Sequence, residues 1–161
     1  MKKILIISAS DSDLEIMKEA GKVLEEFGVE YELTISSAHR SPDRTKEILT
    51  DAQTRGIKVI ICGAGLAAHL AGVVAAHFPL PVIGIPLESG LLKGLDALLS
   101  TVQMPPGIPV ATVGVGNAKN AGILAVQILA TSDKELETKL IEYKKKLAIG
   151  VEEKALKLEK L

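Results

Sequence analysis

The sequence contains very few aromatic residues. Its 161 residues include two Phe, two Tyr and no Trp, although 47% of them are apolar, and the formal net charge is −1. Single-stranded nucleic acids are usually bound by stacking bases on aromatic rings, and the phosphate backbone is usually bound by an excess of Lys and Arg. Because both features are lacking, we expect no nucleic-acid partner.

Cysteine is almost absent as well. Cys62 is the single cysteine, which excludes an internal disulfide and a metal site built from cysteines. The three histidines, His39, His69 and His77, do not follow a spacing typical of metal ligands. We therefore expect no bound metal.

Long apolar runs are also missing. The longest apolar stretch, residues 66–76, is interrupted by His69 and is much shorter than the roughly 20 residues that cross a bilayer. The apolar run at residues 4–7 is too short for the apolar region of a signal peptide. These features predict a cytoplasmic protein with no membrane partner.

Apolar runs alternate with helical patterns along the whole chain, which is typical of a parallel sheet with crossover helices. This pattern predicts one α/β domain over residues 1–161, a three-layer α/β/α sandwich with a core over about 1–131. The predicted strands lie at residues 3–8, 30–36, 58–62, 82–87 and 110–115. The predicted core helices lie at residues 13–27, 42–56, 67–77, 91–101 and 118–130.

A long amphipathic helix is predicted over residues 132–161, because Leu136, Leu140, Tyr143 and Leu147 recur at helical spacing. Gly150 is expected to bend or interrupt it. Two capping boxes, Ser12 with Glu15 and Ser132 with Glu135, predict where the first and last helices begin.

Polar and glycine-rich segments follow each predicted strand. In doubly wound sheets, ligands bind beyond the carboxyl ends of the strands, where helix N-termini also point. We therefore expect the functional site at this edge of the sheet. The segments are residues 8–13, 36–43, 63–69, 88–90 and 116–120.

The second of these segments contains His39 and Arg40. Histidine moves protons near neutral pH, and the guanidinium group binds phosphate through two parallel donors. A surface His-Arg pair without function is the alternative for the residues taken alone. In the third segment, Gly63-x-Gly65-x-x-Ala68 fits a dinucleotide-binding fingerprint, which leaves open a nicotinamide-dependent enzyme or another nucleotide-binding α/β module.

Several long motifs in the same order resemble the class I PurE family. They are Ser-x-Ser-Asp at residues 10–13, Ser-Ala-His-Arg-Ser-Pro-Asp at 37–43, and Gly-Ala-Gly-x-Ala-Ala-His-Leu at 63–70. Residues 94–110 and the helix at 120–129 continue the resemblance, which covers about residues 3–133.

The resemblance implies a flavodoxin-like fold, assembled as a homo-octamer whose active sites are shared between subunits. It implies the conversion of N5-carboxyaminoimidazole ribonucleotide to 4-carboxyaminoimidazole ribonucleotide, with a small-molecule ribonucleotide as substrate and no metal or organic cofactor. His39 would then be the general acid–base residue. The residues expected to bind the substrate or line the site are Ser10, Asp13, Ser37, Arg40, Gly63, Ala64, Gly65, Leu66 and His69.

The sequence departs from the family pattern at three positions. Ala9 and Leu66 stand where the family usually has glycine, and Ala71 stands where it usually has proline. We expect the side chain of Leu66 to narrow the substrate pocket. Direct carboxylation of aminoimidazole ribonucleotide by carbon dioxide, the reaction of a sibling class, is the alternative activity.

Overall fold

The computed structural model describes residues 3–158 and has the predicted α/β architecture. The ends of the predicted domain, and the last three residues of the predicted C-terminal helix, lie outside the described residues. The strands are β1 (Ile4–Ser8), β2 (Tyr31–Ile35), β3 (Val59–Gly65), β4 (Val82–Leu87) and β5 (Ala111–Thr112). The helices are α1 (Leu14–Phe27), α2 (Pro42–Thr54), α3 (Leu70–His77), α4 (Leu95–Val102), α5 (Ala118–Ala130) and α6 (Lys134–Leu158).

All five strands are parallel and lie in the order β2-β1-β3-β4-β5. The chain moves outward from β1 to β2, then crosses back over β1 to β3 and continues in the other direction. Ser8, the last residue of β1, is in register with Ile35 of β2 and Gly63 of β3. The loops after these three strands therefore leave the sheet side by side, at the topological switch point where α/β proteins bind ligands.

Two apolar cores cover the two faces of the sheet, because successive side chains of a strand point to opposite faces. Ile4 and Ile6 pack with α1, α5 and α6 on one face, and Leu5 and Ile7 pack with α2, α3 and α4 on the other. This confirms the three-layer sandwich. Within residues 3–158, no helix is both long and apolar enough to cross a membrane.

The third and fifth strands differ from their predicted bounds. Strand β3 continues past Cys62 to Gly65, because Ala64 and Gly65 pair with Pro86 and Leu87 of β4. Strand β5 comprises only Ala111 and Thr112, so the predicted strand over 110–115 is too long, although the amide of Val113 still donates to the carbonyl of Gly84.

Helices α3 and α4 show the largest delays in their starts relative to the prediction. Helix α3 begins at Leu70 rather than residue 67, because Leu66 has a left-handed backbone (φ 55°) and the next residues form tight turns. Helix α4 begins at Leu95 rather than residue 91, after left-handed Lys93 and Gly94. The predicted capping box at Ser12 and Glu15 is also wrong. Ser10 caps a short 3-10 turn at Asp11–Asp13 that precedes α1.

Helix α6 is a single element through its described end, so Gly150 does not interrupt it, and a bend at Gly150 stays a prediction. Its first turn is capped by the carboxylate of Asp133, which accepts from the amides of Glu135 and Leu136, and not by Ser132. Leu136 and Leu140 are buried against the core, but from residue 144 to 158 every residue except Gly150 is exposed. The packed part of α6 is therefore its first half.

Candidate active site

The loop after β1 supplies hydroxyls and a carboxylate. Ser8 donates to the carbonyl of Ser10 at 2.7 Å, and the amide of Ala9 donates to the carbonyl of Gly63 at 2.9 Å, so the loop is tied to β3. Asp13 lies at the start of α1. Partial burial raises the pKa of its carboxyl above the ordinary value, against the opposing effects of a hydrogen bond from Ser12 and the charge of Arg40.

The loop after β2 is held in one shape by its own serines. The hydroxyl of Ser41 donates to the carbonyl of Ser37 at 3.1 Å and accepts from the amide of Ser37 at 3.0 Å. The hydroxyl of Ser37 accepts from the amide of Arg40, and the Arg40 guanidinium donates to the carbonyl of Ala9 at 3.0 Å. Arg40 therefore joins the first and second loops.

The loop after β3 brings a second histidine to the first. Nε2 of His39 and Nδ1 of His69 are hydrogen-bonded at 2.8 Å, and the two rings meet edge to face. His69 is exposed and occupies the N-cap position of α3, whereas the sequence pattern predicted that it lies within a buried helix. Thirty residues separate the two histidines along the chain, so sequence spacing gave no signal for this pair.

These three loops and the start of the β4–α4 loop enclose a cavity of about 440 Å³. All but one of the predicted site residues line it. Its lining residues are Ala9, Ser10, Ser12, Asp13, Ser37, Ala38, His39, Arg40, Ala64, Gly65, Leu66, Ala67, His69, Leu70 and Ser89. Sequence reasoning missed Ser12 and Ser89 as site residues, although both belong to loops that it had placed at this edge.

Gly63 is the predicted site residue that does not line the cavity. It is buried in β3, where a Cβ would lie 2.1 Å from Sδ of Met17 and 3.2 Å from a methyl group of Leu87. Its contribution is to let α1 approach the sheet beneath the site. Since Gly63 and Gly65 are both strand residues, they do not form the glycine-rich turn of a dinucleotide site, and the geometry does not support that interpretation.

The cavity has a polar side and an apolar side. Hydroxyls, the carboxylate of Asp13 and the guanidinium of Arg40 lie on the loops after β1 and β2, and can bind an anion and sugar hydroxyls. Ala64, Leu66, Ala67 and Leu70 line the side formed by the β3–α3 loop. Residues 3–158 contain no group of three or more His, Cys, Asp or Glu that could hold a metal ion.

The chain matches the AIR carboxylase family over residues 3–149. It is 55% identical to the N5-carboxyaminoimidazole ribonucleotide mutase of Thermotoga maritima, over all of this chain and 94% of that protein. It is 54% identical to the phosphoribosylaminoimidazole carboxylase of Schizosaccharomyces pombe, over 97% of this chain but only 28% of that protein.

The fold is also that of solved PurE structures. A PurE2 variant of Treponema denticola superposes with a TM-score of 0.90 at 30% identity, covering 98% of this chain and 99% of that one. A cavity lined by a histidine, an arginine and several serines at the carboxyl edge of a flavodoxin-like sheet is typical of an enzyme that acts on a small molecule. The chain belongs to the AIR carboxylase family.

Proposed function

We propose that the protein converts N5-carboxyaminoimidazole ribonucleotide to 4-carboxyaminoimidazole ribonucleotide by decarboxylation and recarboxylation. One observation carries the proposal. His39 lines a single cavity together with the polar residues of the first two loops and the apolar residues that run from β3 to α3. The phosphorylated sugar of the substrate requires polar contacts. The carbon dioxide released during the reaction is uncharged and is held best by apolar contacts.

The polar side binds the ribonucleotide. Arg40 binds the phosphate, because its guanidinium already lies against the first loop and retains further donors for an anion. Ser10 and Ser37 add hydroxyl donors, and Asp13 accepts hydrogen bonds from the ribose hydroxyls. The Ala64, Gly65 and Leu66 segment lies against the base.

His39 carries both proton transfers. Protonated His39 gives its proton to N5 as the bond from N5 to the carboxyl carbon breaks, and the bonding electrons remain on N5. Carbon dioxide is released, and an electron pair of the imidazole ring at C4 forms the new carbon–carbon bond. Neutral His39 then removes the proton from C4. The residue ends in the state in which it began, and no net proton is consumed.

His69 positions this histidine. A hydrogen bond between two imidazoles fixes the orientation of both rings and couples their tautomers. When Nε2 of His39 is bonded to Nδ1 of His69, Nδ1 of His39 is the nitrogen available for proton transfer. A fixed ring that reaches both N5 and C4 lowers the entropic cost of two consecutive transfers.

The protein acts as a cytoplasmic homo-octamer. Support for assembly comes from exposed leucines of the β4–α4 loop and α4, at positions 91, 92, 95 and 99, and from the exposed second half of α6. Several large apolar side chains exposed on one segment are typical of a protein interface. Light scattering on the purified protein measures the subunit number, and a monomer would contradict this part of the proposal.

The test compares three proteins with N5-carboxyaminoimidazole ribonucleotide and no added bicarbonate or ATP. Wild type is expected to turn over, and His39→Asn is expected to lose about 10²–10⁴ in rate, as for removal of a general acid–base group. His77→Asn is the matched control, because that ring bonds the carbonyl of Val73 and lies outside the cavity. Its rate should equal that of wild type.

Direct carboxylation is a second candidate, favoured by the 54% identity to the carboxylase of S. pombe. In that case aminoimidazole ribonucleotide and bicarbonate would be consumed efficiently, and N5-carboxyaminoimidazole ribonucleotide would not be a substrate. Absence of turnover by folded wild-type protein with the N5 compound would overturn the mutase proposal.

A further inference from the structure

Leu66 has an unusual backbone for its residue type. Its φ of 55° lies in the left-handed region, which a leucine adopts only at a cost, and 54% of the residue is exposed at the edge of the cavity. A glycine would adopt this backbone freely. We therefore looked for a contact of the leucine side chain that offsets the cost of this backbone.

The side chain of Leu66 reaches the opposite loop. A Cβ added to Gly90 would lie only 3.2 Å from Cδ2 of Leu66, so the leucine covers the bare backbone of the β4–α4 loop. Ser89, beside Gly90, lines the cavity as Leu66 does. Leu66 thus joins the β3–α3 loop to the β4–α4 loop. Because Gly90 has no side chain, it leaves room for this contact.

The apolar residues Ala64, Ala67 and Leu70 line the same cavity as Leu66. Carbon dioxide carries no charge and makes weak hydrogen bonds, so this side of the cavity is where it is held best. After the bond to N5 breaks, nothing covalent retains it until the bond to C4 forms. A barrier on this side is needed if the same molecule is to be recaptured.

We propose that the side chain of Leu66, closed against Gly90, is this barrier and keeps carbon dioxide in the cavity between the two steps. The inference rests on the proposed function, and it assigns to Leu66 a role in retention rather than in proton transfer or phosphate binding. Truncating the side chain should release carbon dioxide and leave free aminoimidazole ribonucleotide.

The experiment measures exchange of carbon dioxide during turnover. Unlabelled N5-carboxyaminoimidazole ribonucleotide is converted in ¹³C-bicarbonate, with carbonic anhydrase present to equilibrate the label, and ¹³C in the 4-carboxy product is measured at low conversion. An enzyme-free sample corrects for spontaneous loss of carbon dioxide from the carbamate. Wild type should incorporate little label. Leu66→Ala and Leu66→Gly should each incorporate severalfold more and release more aminoimidazole ribonucleotide.

Two controls separate retention from a general disturbance. Leu80→Ala alters a leucine after α3 that is 40% exposed, does not line the cavity and lies outside the surfaces proposed for assembly, so its label content should match wild type. Leu66→Met keeps the length of the side chain and should stay close to wild type. The glycine variant also removes the backbone strain, and denaturant unfolding of each variant shows whether its fold is as stable as that of wild type.

The outcomes are distinct. If wild type converts the substrate but Leu66→Ala and Leu66→Gly incorporate no more label than wild type, retention by Leu66 is overturned while the proposed function stands. A lower rate without extra label has the same meaning. If wild type itself does not convert the substrate, the proposed function fails and this inference fails with it.

Discussion

The five loops at the carboxyl edge of the sheet look alike in sequence but differ in structure. The loops after β1, β2 and β3 are joined to one another, through Ala9 to Gly63, Arg40 to Ala9 and His39 to His69. The loop after β4 contributes Ser89 to the cavity, and the loop after β5 contributes nothing to it. Polar residues after a strand are thus necessary for this site but not sufficient. The strand order decides which of them meet.

The largest expected effect is on substrate binding. It is tested at Arg40 and Lys119, two cations at the carboxyl edge of the sheet. Arg40→Ala removes a charged donor from the joined loops, and hydrogen bonds to charged groups contribute about 1.5–3 kcal/mol, so KM should rise by about 10- to 100-fold. Lys119→Ala removes an exposed cation from the first turn of α5, outside the cavity. Its KM should be unchanged.

Steady-state kinetics and direct binding of the ribonucleotide check this prediction. Equal increases in KM for the two variants would mean that the whole edge attracts the substrate by charge. Hydrogen bonding among the loops after β1, β2 and β3 would then not distinguish them from the other loops in substrate binding.

The second-largest expected effect is on the free energy of unfolding, and it is tested at Gly63 and Gly150. Gly63→Ala places a methyl group against Met17 and Leu87 beneath the site, and overpacking of this kind costs about 1–3 kcal/mol of unfolding free energy. Gly150→Ala meets nothing within 4 Å and lies in the exposed half of α6. Alanine should strengthen that half of the helix locally by about 0.5–1 kcal/mol.

Denaturant unfolding and hydrogen exchange separate these two effects. Gly63→Ala should lower the global free energy of unfolding. Gly150→Ala should slow exchange in residues 144–158 and leave the global value unchanged in a monomer, because this half of α6 does not pack on the core. A global gain in the assembled protein would instead show that this half of α6 is buried between subunits.

The smallest effect is the pH dependence contributed by Asp13. Burial raises its folded-state pKa above the ordinary 3.8, so the folded protein binds this proton more tightly than the unfolded chain does. Its contribution therefore makes stability fall as pH rises from about the ordinary value through the raised one. Asp13→Asn should remove that contribution.

Denaturant titrations of wild type and Asp13→Asn across this acidic range measure the difference in slope. The carboxyl ¹³C shift of Asp13 should titrate above 3.8. A midpoint at or below that value would show that the hydrogen bond from Ser12 and the charge of Arg40 outweigh burial.

Much of the fold could be predicted from local patterns. Helix α5 and strand β4 have their predicted bounds, because apolar periodicity and flanking turn residues act over a few positions. Helix starts were predicted less well. Leu66 and Lys93 adopt left-handed backbones that their residue types disfavour, so no propensity argument could place the ends of their loops. Helix α6 runs through Gly150 without the predicted interruption, since a glycine is tolerated in a helix where no packing depends on its side chain.

The sequence by itself determined the α/β class, the edge of the sheet that holds the site, and the motifs that identify the family. These depend on residue type and short-range spacing. Only the tertiary structure decided that His39 bonds His69, that Gly63 supports the site from below, and that Leu66 covers Gly90. Each of these contacts joins residues far apart in the chain, and strand order together with the packing of α1 on the sheet sets the distance between them.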